Sequence, residues 1–208
     1  MIRPIYLLGI LTLSTGIAAC SGLLDSNEPA ERVYWLEPLI VQKSVIADVE
    51  LPSLGVSVTA RPGLDTDRLL ILGPEAQLNH YAMARWPDNI PEVLESLLKT
   101  TLESSARYSR VTAGPRSVSM DWTLELEVRE LFTQASTLIN ARMVRMVLGG
   151  YVSCPESDHV IAMQASVDIG QNRLSQIVAA YQQALNEVSR QLVTQLANAC
   201  GVTDPADT

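Results

Sequence analysis

The stretch from Trp122 to Arg129 most constrains the fold, because apolar and polar residues alternate along it without interruption. Its apolar members are Trp122, Leu124, Leu126 and Val128, and its polar members are Thr123, Glu125, Glu127 and Arg129. A period of two residues is typical of a β-strand with one face in the core and the other in water. The chain must therefore build a sheet of which one face is covered by other elements.

Further strands are predicted before and after this one from β-branched and apolar residues bounded by turn residues. Gly73 and Pro74 are expected to form the turn of a hairpin, and Pro38 is expected to interrupt the first strand. The predicted strands are Val33–Val41, Leu54–Ala60, Leu69–Leu72, Leu78–Trp86, Asn140–Val152 and Val160–Ile169.

Two segments have the period of an amphipathic helix. The first begins at Asn89, a capping residue with Glu92 three positions on and Pro91 in the first turn. The second runs from about Ser175 to Asn198, with Gln182 and Gln191 among the residues assigned to its solvated side. Strands followed by amphipathic helices predict an α/β domain in which helices pack on the sheet.

The N-terminus has the layout of a secretory signal, with a basic Arg3 before an apolar segment. Ile5–Ala19 carries no charge but is shorter than the roughly 20 residues that a membrane-spanning helix needs. Ile17–Cys20 resembles the bacterial lipobox, in which the cysteine is acylated and the chain is cut before it. We therefore predict a signal peptide over residues 1–19 and lipidation, as with palmitate, at Cys20. An ordinary signal peptide and an uncleaved anchor are the alternatives.

The residues after the signal are enough for one domain. Residues 20–31 are predicted to be the lipidated N-terminus and a tether, residues 32–199 the folded domain, and residues 200–208 a flexible tail. Ser21 after the cysteine resembles the outer-membrane default of lipoprotein sorting. The net charge of −8, without any basic cluster, argues against a nucleic-acid partner, whose phosphates require neutralisation.

Two cysteines remain in the exported part of the chain, Cys154 and Cys200. An even number of cysteines in an exported protein favours a disulfide between them. Two buried thiols that never meet are the alternative, since sequence cannot place the two Cα atoms within bonding range.

The sequence contains no recognisable catalytic constellation. His80 and His159 each stand alone, without a second histidine at the local spacing of a zinc site. No nucleophile elbow, P-loop or dinucleotide-binding motif occurs, and Gly149 and Gly150 are interpreted as a bulge within a strand. Glu125 shares a face with other polar residues, which a solvated sheet face explains. We therefore predict no catalytic, metal-binding or cofactor-binding residue, and no enzyme activity.

Four motifs in order resemble the family of ABC-type transport auxiliary lipoproteins, the PqiC-like group. Tyr34–Pro38 is similar to the family's opening Y-x-L-x-P, and Tyr81–Trp86 resembles its Y-x-x-x-R-W segment before the first helix. Arg107–Val111 resembles the short strand after that helix, and Ala179–Leu185 the closing Ala/Leu-rich helix. The resemblance implies a three-layer α/β domain with a mixed, mostly antiparallel sheet and two main amphipathic helices.

The resemblance also implies a non-catalytic, outer-membrane-anchored periplasmic lipoprotein that docks an MCE-domain protein of a lipid transport system. Self-association into a homo-oligomeric ring is one arrangement it allows. Arg85 and Trp86 are the first candidates for a partner interface, because Trp and Arg are frequent interface anchors; the alternative is a core Trp86 with an ion-pairing Arg85. An outer-membrane lipoprotein that activates or scaffolds an envelope enzyme, such as a peptidoglycan synthase, is the second hypothesis, and a periplasmic hydrolase is the third.

Overall fold

A computed structural model describes residues 31–41, 51–114, 119–137 and 140–200. These residues form eight strands and two α-helices, which confirms the predicted α/β class. In chain order the elements are β1 Arg32–Val33, β2 Ser53–Ala60, β3 Arg68–Leu72, β4 Leu78–Arg85, α1 Ile90–Ser104, β5 Arg110–Ala113, β6 Trp122–Thr137, β7 Asn140–Ser153, β8 Asp158–Asp168 and α2 Leu174–Ala199. The predicted signal peptide, Cys20 and the tail after Cys200 lie outside the described residues.

Strand β6 organises the sheet because it pairs with three other strands. One of its edges pairs antiparallel with β7 along almost its whole length, and β7 pairs antiparallel with β8. Its other edge pairs in parallel with β2 at the start of β6 and with β3 near the end. The sheet continues from β2 to β5 on one side, and from β3 through β4 to β1 on the other. The sheet is mixed, and most of its paired residues are antiparallel.

Both helices pack on the same face of the sheet. Leu54, Val56 and Val58 of β2 are buried, and each lies beside a buried apolar residue of β6. Helix α1 contacts β2 and β5, whereas α2 contacts β7 and β8. The predicted alternation therefore separates a helix-covered face from a polar face, and the extended residues 34–41 form a further covering that hydrogen-bonds to both helices.

Trp86 and Tyr181 form the centre of the core beneath the helices. Their ring centroids are 5.2 Å apart with the planes nearly perpendicular, which is a favourable edge-to-face geometry. The hydroxyl of Tyr181 donates to the backbone carbonyl of Leu70 at 3.2 Å, and the hydroxyl of Thr133 donates to the same oxygen at 3.0 Å. Burial raises the pKa of the Tyr181 hydroxyl, so Tyr181 stays a neutral donor.

The predicted first strand, Val33–Val41, is wrong beyond Val33. Only Arg32 and Val33 pair with β4, and the amide of Tyr34 donates one further hydrogen bond to the carbonyl of Arg85. From there the chain leaves the sheet and lies against the helices, where Leu36 is buried. An extended stretch becomes a strand only where a neighbouring strand is available, and here helix side chains satisfy its backbone instead.

Candidate functional site

Side-chain exposure alternates along the first part of the extended segment, from Tyr34 to Pro38. Trp35 is 70% exposed, Leu36 is buried, and Glu37 is exposed again. Successive side chains of extended backbone point to opposite sides, so Trp35 and Glu37 share the outer side while Leu36 packs inward. Ile40, at 66% exposure, adds a second large apolar side chain to the accessible part of this segment.

Polar side chains from both helices hold this segment in place. The amide of Glu37 donates to the side-chain oxygen of Gln182 at 2.8 Å, and the side-chain nitrogen of Gln182 donates to the carbonyl of Glu37 at 2.9 Å. Near the other end, the amide of Val41 donates to the hydroxyl of Ser104 at 2.9 Å. The sequence assigned Gln182 to the solvated side of its helix. In the structure its side chain instead pairs with the backbone of Glu37, as a neighbouring strand would in a sheet.

A groove opens between this segment and the first half of α1. Its volume is about 260 Å³, and its apolar lining residues are Trp35, Leu36, Pro87, Val93 and Leu97, with Asp88, Glu92 and Ser96 as the polar ones. No basic side chain of the described residues forms an ion pair with Asp88 or Glu92. We name this surface the Trp35 groove. It combines an apolar floor with the two carboxylates of Asp88 and Glu92.

The predicted interface pair, Arg85 and Trp86, is divided between surface and core. Trp86 is 1% exposed and offers no accessible surface to a partner in this conformation. The guanidinium of Arg85 lies 3.4 Å from a carboxylate oxygen of Glu31 and 3.7 Å from one of Asp67, and Arg68 pairs with the same two residues. These contacts match the alternative in which Trp86 is core and Arg85 ion-pairs at an edge.

Cys154 and Cys200 are brought together by the fold. Cys154 follows β7, Cys200 follows α2, and their Cα atoms are 6.0 Å apart in a disulfide arrangement. This separation lies within the range that a disulfide spans. The bridge would tie the end of α2 to the β7–β8 turn, and it stays a prediction tested below.

The polar face of the sheet carries paired charges. Glu127 lies 3.7 Å from Arg61 and 3.3 Å from Arg129, and Tyr151 hydrogen-bonds to Glu125. The guanidinium of Arg129 lies over Gly149, where a Cβ atom would stand 2.4 Å from its central carbon. Glycine at this position therefore lets the arginine lie flat on the sheet. The alternation predicted a polar face here, and the structure adds the ion pairs on it.

The two histidines lie apart from each other. His80 is exposed on β4, and His159 lies at the start of β8, where its ring nitrogen is 2.7 Å from the hydroxyl of Ser157. In the described part of the chain, no group of three or more His, Cys, Asp or Glu residues is arranged to hold a metal ion. Nor is any helix within residues 31–200, where the structure describes them, long and apolar enough to cross a membrane.

Sequence reasoning missed the exposure of Trp35, although a signal for it was present. Trp35 lies two residues before the charged Glu37 and one before Leu36, so extended geometry puts the tryptophan on the same side as the charge. The groove beside it could not be found in this way, because α1 and the segment are separated along the chain by β2, β3 and β4.

The mixed sheet with helices on one face defines a class of α/β domain with known relatives. A crystal structure of protein XCC0632 from Xanthomonas campestris, a DUF330 protein, superimposes with a TM-score of 0.62 at 20% identity, covering 78% of this chain and 92% of that one. A crystal structure of an uncharacterized protein gives a TM-score of 0.57 at 10% identity, covering 81% and 99% respectively. At these identities the likeness concerns the fold. None of the curated proteins matches the sequence.

The sequence itself identifies the family. The model of the family described as ABC-type transport auxiliary lipoprotein component matches residues 34–193, which is more than half of the chain. The protein therefore belongs to this family of auxiliary components of ABC-type transport.

Proposed function

We propose that this protein is a lipid-anchored periplasmic lipoprotein of the outer membrane, which docks an MCE-domain protein of an ABC-type lipid transport system. The observation that carries the proposal is the family match over residues 34–193. In this proposal the acyl chains on Cys20 anchor the protein in the membrane, residues 20–31 form the tether, and residues 32–199 form the docking domain.

The proposed role is positional rather than catalytic. An auxiliary component of a transporter acts by holding its partners in place, and this requires a stable domain with an accessible binding surface. The Trp35 groove is such a surface: it is concave and largely apolar, and Trp35 comes four positions after the proposed tether in the sequence. An exposed tryptophan beside a concave apolar surface is typical of an interface anchor.

The proposed membrane anchor is sufficient without a basic surface on the domain. Each buried methylene of an acyl chain contributes about 0.8 kcal/mol, so the chains of a bacterial lipoprotein suffice for stable attachment. The acidic chain, with a net charge of −8, gains nothing from anionic headgroups. Labelled palmitate should enter the wild type and not Cys20→Ala, and label in that variant would refute the anchor.

Crosslinking followed by pull-down of the tagged lipoprotein from intact envelopes tests the partner. We expect to recover an MCE-domain protein from wild-type cells and to lose it with Cys20→Ala, which cannot concentrate the domain at the membrane. Recovery of a peptidoglycan synthase or another envelope enzyme, with no MCE-domain protein, would replace the proposal by the scaffolding hypothesis.

A further inference from the structure

We propose that the Trp35 groove binds a basic, apolar segment of the protein partner, in which a large apolar side chain lies next to lysine or arginine. The inference deepens the proposed function and rests on it for the identity of the partner. It makes its own claim about the chemistry of the bound segment, which the lining of the groove defines.

The floor of the groove requires an apolar side chain. Leu36, Val93 and Leu97 are themselves buried and present their outer surfaces to the groove, while Trp35 rises beside them with most of its surface in water. A volume of about 260 Å³ accommodates one or two large side chains rather than a whole helix. Binding would cover the exposed face of Trp35, and removal of this apolar surface from water favours association.

The rim of the groove requires positive charge. Asp88 and Glu92 line it, the exposed Glu37 lies two positions after Trp35, and no lysine or arginine is among the described residues that line it. The nearest arginine in the sequence, Arg85, is engaged with Glu31 and Asp67. Carboxylates at the rim of an interface speed the encounter with a basic partner and disfavour an acidic one.

The same charges argue against the other occupants of an apolar groove. An anionic membrane surface would be repelled by Asp88 and Glu92. A second copy of this chain carries 23 acidic residues against 15 basic ones, so it is a poor electrostatic match. A protein segment with both apolar and basic side chains can pack on the apolar floor of the groove and pair with the carboxylates at its rim.

Site-specific photocrosslinking in intact cells tests the inference on the full chain. Benzoylphenylalanine at Ser96, which lines the groove, is compared with benzoylphenylalanine at Ser166, which is also exposed and lies on β8. We expect an adduct at Ser96 about tenfold above that at Ser166, and mass spectrometry of the crosslinked peptide should find lysine or arginine beside large apolar residues.

Charge variants supply the second readout. Glu92→Lys should lower the Ser96 adduct about tenfold, and Glu92→Gln, which keeps the acidic group's size without its charge, should lower it about threefold. Glu156→Lys makes the same charge change at an exposed turn away from the groove and should leave the adduct within about twofold. Because Glu92→Gln is nearly isosteric, its result remains readable if the lysine variant folds poorly.

Each outcome decides between the two proposals. An adduct to lipid, to a second copy or to a segment without basic residues, or no adduct above the Ser166 level, overturns the inference even if an MCE-domain protein is recovered by pull-down. A basic, apolar segment from a protein of another class upholds the groove chemistry and overturns the proposed partner. Insensitivity of the adduct to both Glu92 variants also overturns the inference.

Discussion

Two tryptophans mark two regions that use apolar residues in opposite ways. Trp86 lies under the helices at 1% exposure, in edge-to-face contact with Tyr181. Trp35 lies on the segment that passes along the helices, and 70% of its surface is in water. Both belong to short motifs that resemble those of the family, yet one is enclosed by the fold and the other is left available.

The comparison indicates where stability and recognition reside. Trp86 belongs to one buried core with residues from β3, β4 and α2, so a change there must disturb the core. The region around Trp35 is held by one buried leucine, Leu36, and by hydrogen bonds to helix side chains. A surface attached in this way can bind a partner without being needed to close the core.

Truncation of the two tryptophans should produce the largest contrast. Trp86→Ala removes a fully buried aromatic and should lower the free energy of unfolding by about 3–5 kcal/mol, whereas Trp35→Ala should change it by less than about 0.5 kcal/mol. Urea unfolding of the mature chain, followed by far-UV circular dichroism, measures both values. Equal losses in the two variants would abolish the distinction between the regions.

Removal of the proposed disulfide should have the next largest effect. Cys154 and Cys200 are 46 positions apart, and opening a loop of that size should destabilise the chain by about 2–4 kcal/mol in the double Cys→Ser variant. The proposed bridge would extend the covered region to the end of α2. A reducing agent should lower the unfolding midpoint of the wild type and leave that of the double variant unchanged. If the reducing agent left the unfolding midpoint of the wild type unchanged, the two thiols would not be bridged.

Loss of the Gln182 side chain should loosen the segment more than the core. Gln182→Ala removes two hydrogen bonds to the backbone of Glu37 and should cost about 1–2 kcal/mol. Hydrogen exchange at the Glu37 amide should become faster while exchange at core amides of β6 changes little. Gln183→Ala, at an exposed position next to it, is the control. Unchanged protection at Glu37 would mean that the Gln182 hydrogen bonds do not hold the segment, and would leave that role to Leu36 and to the hydrogen bond between Val41 and Ser104.

The smallest effect on stability is expected at the exposed end of the sheet where β2 and β6 begin. There Asp121, just before β6, hydrogen-bonds to Ser53 of β2. Hydrogen bonds from the amide and hydroxyl of Ser53, both at 2.7 Å, lower the pKa of the Asp121 carboxyl. A lowered folded-state pKa gives a contribution to stability that is complete above the unfolded value of about 3.9 and is lost as pH falls below it.

Asp121→Asn should therefore make the unfolding midpoint less dependent on pH between about pH 5 and pH 3. Ser53→Ala, which removes one of the two donors, should have part of the same effect. Acid titrations of the urea midpoint compare the three chains, and identical profiles would assign no role to this pair.

Much of the fold could be predicted because it depends on local periodicity. Alternation over Trp122 to Arg129 identified β6 and its buried face, and helical stripes identified α1 and α2 within a few residues of their ends. The hairpin around Gly73 and Pro74 was also correct, with β3 and β4 pairing antiparallel across a 3₁₀ turn. In each case the pattern reports one buried side of a regular element.

Predictions that depended on a distant neighbour were less successful. Residues after Val33 have the composition of a strand, but among the described residues the pairing with β4 ends at Val33. Gln191 was assigned to solvent, yet its side chain bonds to the backbone of Gln164 at the outer edge of β8. Covering an edge in this way limits strand pairing with other chains, and nothing in the local pattern of α2 distinguishes such a glutamine from a solvated one.

By itself, the sequence determined the class of fold, the order of its elements and the family motifs, because these depend on residue types at short spacings. The tertiary structure decided which tryptophan is enclosed, what satisfies the backbone of the first segment, and that the Cα atoms of Cys154 and Cys200 lie 6.0 Å apart. These outcomes depend on contacts across the chain, such as the hydrogen bonds between Glu37 and Gln182, which are 145 residues apart. Burial is a property of what lies opposite a side chain, and only the folded chain supplies that neighbour.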